Sequence, residues 1–390
     1  MSEVSINQRS LLLALFFTIF VVQSPGILSG LLLPDISQTF NTQIGICAQV
    51  RSFSTTIGAI VALVMGALSV KYRHKSLLLW GLGFLAISAI GCCYAPNLSI
   101  LFITYSLSGI GAAMASPMTS SIAGNYLSDD IRPLAIGMLL ASASLAYVIG
   151  APAISQLADK IGWRYTFLTY ILFLNLLSIL LTQRSVPSQN KIVGSQGSVF
   201  SGFSNVLKTR SACACLVGAV FGSASWQGIV FFGTSFYRSS FELPTLMAAY
   251  LLAILAVFFS VGSVLSGRIT NRIGRRRLTI LGLLFMGSFT VLFTNIASLW
   301  VSFSLAVLGS FFGGVRYAAS NNLSLEQLPE FRGTMMSLNN ASINLGQTVG
   351  ALVGGYVLLG NNWRLVGTAL GGFGLFATLI YYLFSTDPMQ

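Results

Sequence analysis

Residues 132–164 read RPLAIGMLLASASLAYVIGAPAISQLADKIGWR, and residues 332–364 read RGTMMSLNNASINLGQTVGALVGGYVLLGNNWR. Laid over one another without a gap, they match Arg132 with Arg332, Ala141-Ser142 with Ala341-Ser342 and Leu145 with Leu345. They also match Gly150-Ala151 with Gly350-Ala351 and Trp163-Arg164 with Trp363-Arg364. An alphabet rich in Leu, Ala and Gly produces chance matches, but not a paired Trp-Arg step. A shift of 200 residues superposes the two halves, and upstream Gly109 meets Gly309. Similarity at one fixed offset marks a duplicated architecture.

The composition says what is duplicated. Of 390 residues, 54% are hydrophobic and 8% charged, with a mean hydropathy of +0.80. Soluble domains carry about 25% charged residues because their surface faces water. A secreted domain, a nucleic-acid binder and a cytosolic enzyme are therefore excluded, and the chain reads as an all-α membrane protein. Apolar runs long enough to span a bilayer fall at 11–34, 44–69, 76–95, 98–122, 134–157 and 165–183. A second set of six falls at 212–236, 245–267, 278–296, 299–320, 334–359 and 364–384. The first run is too long for a signal-peptide core and lacks a convincing cleavage site, so it is a span.

Twelve helices in two pseudo-symmetric six-helix bundles follow: 1–183, a Ser/Gly/Gln-rich basic linker over 184–211, and 212–390. With both termini in the cytoplasm, 15 Lys/Arg fall in inner connections and four (Lys160, Arg164, Arg238 and Arg364) in outer ones. That bias sets the orientation. Cys47, Cys92, Cys93, Cys213 and Cys215 have no metal-site spacing and read as helix packing.

The connections between spans two and three, and between spans eight and nine, then carry a resemblance. The second copy reads Gly267-Arg268-Ile269-Thr270-Asn271-Arg272-Ile273-Gly274-Arg275-Arg276. The first, more divergent copy reads Gly66-Ala67-Leu68-Ser69-Val70-Lys71-Tyr72-Arg73-His74-Lys75. Over essentially the whole chain this resembles the major facilitator superfamily, whose motif at both places is Gly-x-Leu-Ala-Asp-Arg-x-Gly-Arg-Lys. The resemblance implies the major facilitator fold, with Gly66, Lys75, Gly267, Asn271, Arg272, Gly274 and Arg275 acting in conformational change. The motif's Asp is replaced by Val70 and Asn271; Asn271 retains hydrogen-bonding capacity and Val70 does not. Gly109-Ile110-Gly111 resembles the family's fourth-span element, with Tyr105 where an Arg would stand. Gly150-Ala151-Pro152 and Gly313-Gly314-Val315-Arg316 look like small drug and sugar effluxers of the drug:H+ antiporter-1 type. The resemblance implies a plasma-membrane transporter, in the inner membrane of a bacterium, that acts as a monomer.

Parallel repeats place a substrate site at their interface, with broken helices at matching positions as pointers. The first span carries Gln23-Ser24-Pro25-Gly26, and Pro25 removes a backbone donor. At the 200-residue shift the seventh span carries Ser223-Ala224-Ser225-Trp226, followed by Gln227. A helix break at both places, lining a cavity, is expected; ordinary packing is the alternative. Arg316 is a charge inside span ten, an expensive placement that points to a cavity or a partner. Four residues from the expected end of its span, it either snorkels or meets an anionic or strongly polar substrate. Arg51 lies within span two, and Asp35 is its nearest counter-charge in sequence, so a structural, gating or proton-coupling pair is expected, with a substrate-facing or snorkelling Arg51 as the alternatives. Asn340, Asn344 and Gln347 share one helix face, suited to cavity lining or interhelical hydrogen bonds.

None of the nine acids falls mid-span. Asp35 is therefore the candidate proton site, and an uncoupled facilitator or uptake carrier for a small organic anion is the alternative. The expected activity is secondary transport by alternating access, most simply efflux of a drug-like, sugar-like or anionic metabolite. The expected partners are a small molecule, the lipid bilayer and, for coupled transport, protons, with no nucleic acid, metal or cofactor. Enzyme chemistry is not expected: His74 is the only histidine, and no two inward-facing acids are available at one depth. A non-transporting sensor with this fold would carry an added soluble domain, which the sequence does not show.

Overall fold

The computed structural model describes residues 8–127, 131–187, 206, 208–328, 330 and 332–387, so most of the 184–211 connection lies outside the described residues. The described chain is helical throughout. Spans one to four are Gln8–Leu31, Ile44–Lys71, His74–Cys93 and Leu98–Tyr126. The fifth starts at Arg132 and runs, with a one-residue step at Ile149, to Gly162. Apolar helix is then continuous over 49 residues, Gly137–Ser185, which at 1.5 Å per residue is far longer than a bilayer is thick. Gly162 resolves this: its φ of 81° is open to glycine, and it turns the chain into the sixth span. Spans seven to ten are Arg210–Val230, Thr245–Ile273, Arg275–Asn295 and Leu299–Glu326, and the last two are Arg332–Val357 and Trp363–Phe384.

Every boundary of the first six spans except the end of the fifth recurs in the second six at an offset of 199 to 202 residues; Gly162 and Val357 are 195 apart. The offset is 201 at the start of the third span (His74, Arg275) and 200 at the start of the fifth (Arg132, Arg332), so the duplication is not uniform.

The expected breaks lie elsewhere. The first span is helical straight through Pro25, and the seventh through Ser223–Gly228. The chain steps instead at Leu32 (φ −101°, ψ 16°) and at Phe231 (φ −97°, ψ −50°). Short helices Leu33–Thr39 and Phe232–Ser240 follow the two steps. Hydroxyls stabilise the Pro25 turn. Ser24 Oγ donates to the Phe20 carbonyl at 3.1 Å, Ser29 Oγ to that of Gly26 at 3.2 Å, and the Tyr105 hydroxyl to that of Pro25 at 3.0 Å. A proline is tolerated in a spanning helix where local adjustment and neighbouring side chains serve the backbone around it.

The chain forms two compact units. One comprises 1–29 and 56–195; the other comprises 30–55 and 196–390. The first unit has an apolar core at its basic-loop end, with Leu11, Leu15, Leu78, Met118, Ile122 and Ala135 buried. Polar contacts fix its helices: Thr18 against Ser178 at 3.0 Å, Ser142 on the Phe16 carbonyl at 2.6 Å and Asn175 on the Leu82 carbonyl at 2.8 Å. In the second unit glycines bring backbones together. A Cβ on Gly314 would collide with the Phe259 carbonyl, and one on Gly346 with that of Val220. Small residues at such crossings are the usual solution where water provides no drive to associate helices.

Candidate functional site

Spans one and seven are the most enclosed, with 61% and 72% of their apolar windows buried, against at most half for any other candidate span. Each carries polar groups inside that enclosure. In the first unit Ser24 is fully buried, Pro25 is buried and Gln23 is half-buried. In the second, Ser223, Ser225 and Gln227 are buried, while Trp226 is half-buried. Neither Pro25 nor Gln227 faces outward.

Trp226 packs its ring over Gly313 and against Phe259, with centroids 4.6 Å apart; Phe259 in turn meets Tyr317 at 5.9 Å. One turn along the same seam between spans seven and ten lies Arg316. It sits ten residues before the end of its helix at Glu326, not four. That is about 15 Å along the helix axis, more than its side chain spans. Arg316 is 4% exposed, and its Nε has no hydrogen-bond partner among the described residues. Its guanidinium occupies the space that a side chain on Gly222 would fill. No carboxylate pairs with it among the described residues. A buried, unpaired cation is costly, and this one is housed by glycine.

Asn340 is exposed, and Asn344 and Gln347 are half-buried. At 3.6 residues per turn this stripe lies roughly 120° around the helix from exposed Leu345, Leu352 and Tyr356. The amides and the apolar residues thus occupy different faces.

The expected pairing of Asp35 with Arg51 is not the one formed. Asp35 is held by both guanidinium nitrogens of Arg238, Nη2 at 3.0 Å from Oδ1. Arg238 also donates to the Leu31 carbonyl at 2.8 Å, and Thr234 and Ser235 donate to that of Gly30 at 3.2 and 2.8 Å. The reason is the step at Leu32, which starts a new short helix bearing Asp35 and aims it at the matching short helix after span seven. Arg51 reaches Gln347 instead (Nη2–Oε1 3.4 Å), Gln49 donates to the Leu352 carbonyl at 3.1 Å, and Thr348 meets Thr55 at 3.0 Å. All of these contacts lie inside the second compact unit. Arg238 looks in sequence like one more loop cation; only the offset between the two short helices would have singled it out.

The motif residues divide by role. Lys75 donates to the carbonyls of Gln183 and Val186, both at 2.7 Å, at the end of span six. Arg276 does the same for Tyr382 at 2.6 Å, at the end of span twelve. Cations there satisfy free carbonyls and oppose the helix dipole. Arg275 lies 3.8 Å from Glu326. Gly274 has a φ of 88° and makes the turn between spans eight and nine, which accounts for the motif's glycine. Gly267 and Arg272 are exposed. The side chains of Val70 and Asn271 and the surroundings of Gly66 lie outside the described residues.

This duplicated twelve-span arrangement, with polar groups in its two most enclosed helices, is that of a membrane transporter. The sequence matches the Major Facilitator Superfamily over residues 11–274 and again over 251–390, and the chain belongs to that family. It is 26% identical over 368 residues to the MFS-type transporter YwfA of Bacillus subtilis (strain 168), covering 92% of this chain and 87% of the relative. It is 23% identical to the sialic acid transporter NanX of Escherichia coli (strain K12), over 56% of this chain and 54% of that one. Among solved structures, a bacterial homologue of the human lysosomal transporter Spinster, in an inward-facing and unoccupied conformation, shares the fold. Its TM-score is 0.81 at 16% identity, covering 98% of this chain and 97% of that one. The chain is an integral membrane protein whose substrate is a small molecule.

Proposed function

We propose that this chain is a secondary transporter that moves a small organic anion, or an amphipathic molecule with an anionic group, by alternating access in a bacterial inner membrane. The observation that carries this reading is Arg316: fully enclosed, lacking an acid, and one turn from Trp226 and Gln227 on an enclosed span. Such a residue is retained for what it binds. The bundles 1–183 and 212–390 move about the 184–211 linker. Gln23, Ser24, Pro25, Trp226, Gln227, Asn340 and Asn344 line the path, and Arg316 takes the anionic group. The separation of the amide stripe from the apolar stripe on span eleven supports a watery face there. The relative named for sialic acid fits the same substrate class.

Both termini are assigned to the cytoplasm on the 15-to-4 distribution of Lys and Arg. Efflux is the preferred direction, on the resemblance of the fifth and tenth spans to small effluxers. Asp35, bound to Arg238, is assigned the gating and proton-coupling role. An uncoupled carrier is the second reading, favoured by the position of the acids: Asp159 and Glu326 stand in the last turn of their spans and none falls mid-span. Flux in proteoliposomes with and without a pH gradient separates the two. Coupled efflux requires gradient-dependent flux that Arg316→Ala abolishes at unchanged expression. Flux that survives in Arg316→Ala ends the substrate role of that residue.

A further inference from the structure

The second unit has a cavity of about 580 Å³ at the end opposite its basic loop, walled by Phe236, Phe241, Thr294, Asn295, Asn362 and Arg364, with Trp363 beside them. That volume suits a drug-sized ligand. Its floor is aromatic: Phe236 lies 5.7 Å from Phe241 and 5.9 Å from Trp363, centroid to centroid. Its rim is polar and, among its lining residues, contains no acid.

The duplication gives the cavity its meaning. In the first unit the matching Trp163-Arg164 step closes its own corner. Arg164 stacks on Trp163, 4.7 Å from the ring centroid, and Nη1 donates to the carbonyls of Cys93 and Ala95 that follow span three. In the second unit the loop after span nine is held by other groups. Ser302 Oγ takes the Phe293 carbonyl at 2.7 Å, and Asn295 Nδ2 takes that of Val291 at 2.7 Å. Arg364 is exposed, and its side chain makes no hydrogen bond or ion pair with the described residues. Asn362 spends its Oδ1 on the backbone N–H groups of Arg364 and Leu365 and keeps its amide donors. The rim therefore presents a guanidinium and N–H donors above an aromatic floor, which matches a carboxylate on a ring.

We infer that this cavity is an accessory binding site for small aromatic or cyclic carboxylates, separate from the seam of spans seven and ten. Binding is read by ¹⁹F line broadening of 4-fluorobenzoate with the purified full-length protein, using neutral 4-fluorobenzamide as the control. The acid broadens and the amide does not. Arg364→Gln weakens binding about tenfold or more, the loss expected for one charge-assisted contact. Ser240→Trp, which fills the cavity from its rim, abolishes binding, whereas Arg316→Ala leaves it intact. The inference is overturned if 4-fluorobenzoate is not broadened by the wild-type protein, if the two probes bind alike, if Arg364→Gln binds normally, or if Arg316→Ala removes binding.

Discussion

The same helix crossing occurs in both halves of the chain and houses different chemistry. Between spans three and four, a Cβ on Gly81 would lie 3.0 Å from the Ala115 nitrogen; between spans nine and ten, one on Gly282 would lie 3.0 Å from the Arg316 nitrogen. Arg316 thus stands where the first unit has fully buried Ala115. The nearby first span supplies Val21 and Val22 where the seventh supplies Gly222, against which the guanidinium lies. One half filled this layer with apolar side chains; the other opened it and installed a cation. A duplicated fold keeps its backbone crossings and is free to differentiate what they enclose.

That comparison is testable by converting one half into the other. Gly222→Val puts a branched side chain into the space of an enclosed guanidinium with nowhere to go. Overpacking and displacement together are expected to lower stability by about 3 kcal/mol, read as a marked fall in the thermal midpoint of the purified protein. Adding Arg316→Ala recreates the layer of the first unit and should return the midpoint to wild type or above, because apolar replacement of a buried ion is often neutral or stabilising. Transport stays lost in the double variant. A double variant as unstable as Gly222→Val alone would show that the glycine serves helix approach rather than the arginine.

The matching short helices after spans one and seven differ in charge as well. One carries Asp35 and the other Arg238, where the partner positions at the 200-residue shift are Ser235 and Gln38. These opposite charges pair within the second unit. The pair is only partly shielded, with side-chain exposures of 37% and 13%, so solvent screening limits its worth. A double-mutant cycle of Asp35→Asn and Arg238→Gln should give a coupling of about 1 kcal/mol, falling as salt is raised. Additive single effects would mean that the backbone contacts at Gly30 and Leu31 hold the segment without the ion pair.

Much of this was legible in the sequence. Apolar runs and the Trp-Arg step gave twelve spans and their duplication, because helix length and hydrophobicity are local properties that a bilayer enforces. Pro25 and Gln227, read as facing inward, are buried, whereas for Arg316 the sequence left snorkelling open. The site of the helix break was not legible. Proline forbids one hydrogen bond, yet the helix runs through it, and the Tyr105 hydroxyl from span four engages the Pro25 carbonyl, a contact distant in sequence. The partner of Asp35 was illegible for a related reason. Arg51 is nearer along the chain, yet the step at Leu32 turns Asp35 toward Arg238. Arg316 looked closer to the end of its helix than it is because Asn321 and Asn322 end the apolar run before the helix ends at Glu326.

The smallest expected effect concerns a feature that both halves kept. Lys75 and Arg276 are separated by the 201-residue offset of their spans, and each places a cation on carbonyls at the end of the last helix in its unit. Their neighbours in the family motif have diverged, so the retained element is the cap itself. Lys75 serves two carbonyls, of Gln183 and Val186, while Arg276 serves that of Tyr382. Alanine at either place should cost about 0.5–1 kcal/mol, with Lys75→Ala the larger of the two. Lys75→Arg should be close to wild type in thermal midpoint, since the second unit already performs this task with a guanidinium. If Lys75→Arg were as damaging as Lys75→Ala, the two carbonyls would demand a compact ammonium, and the equivalence of the two caps would fail at the level of chemistry while holding at the level of position.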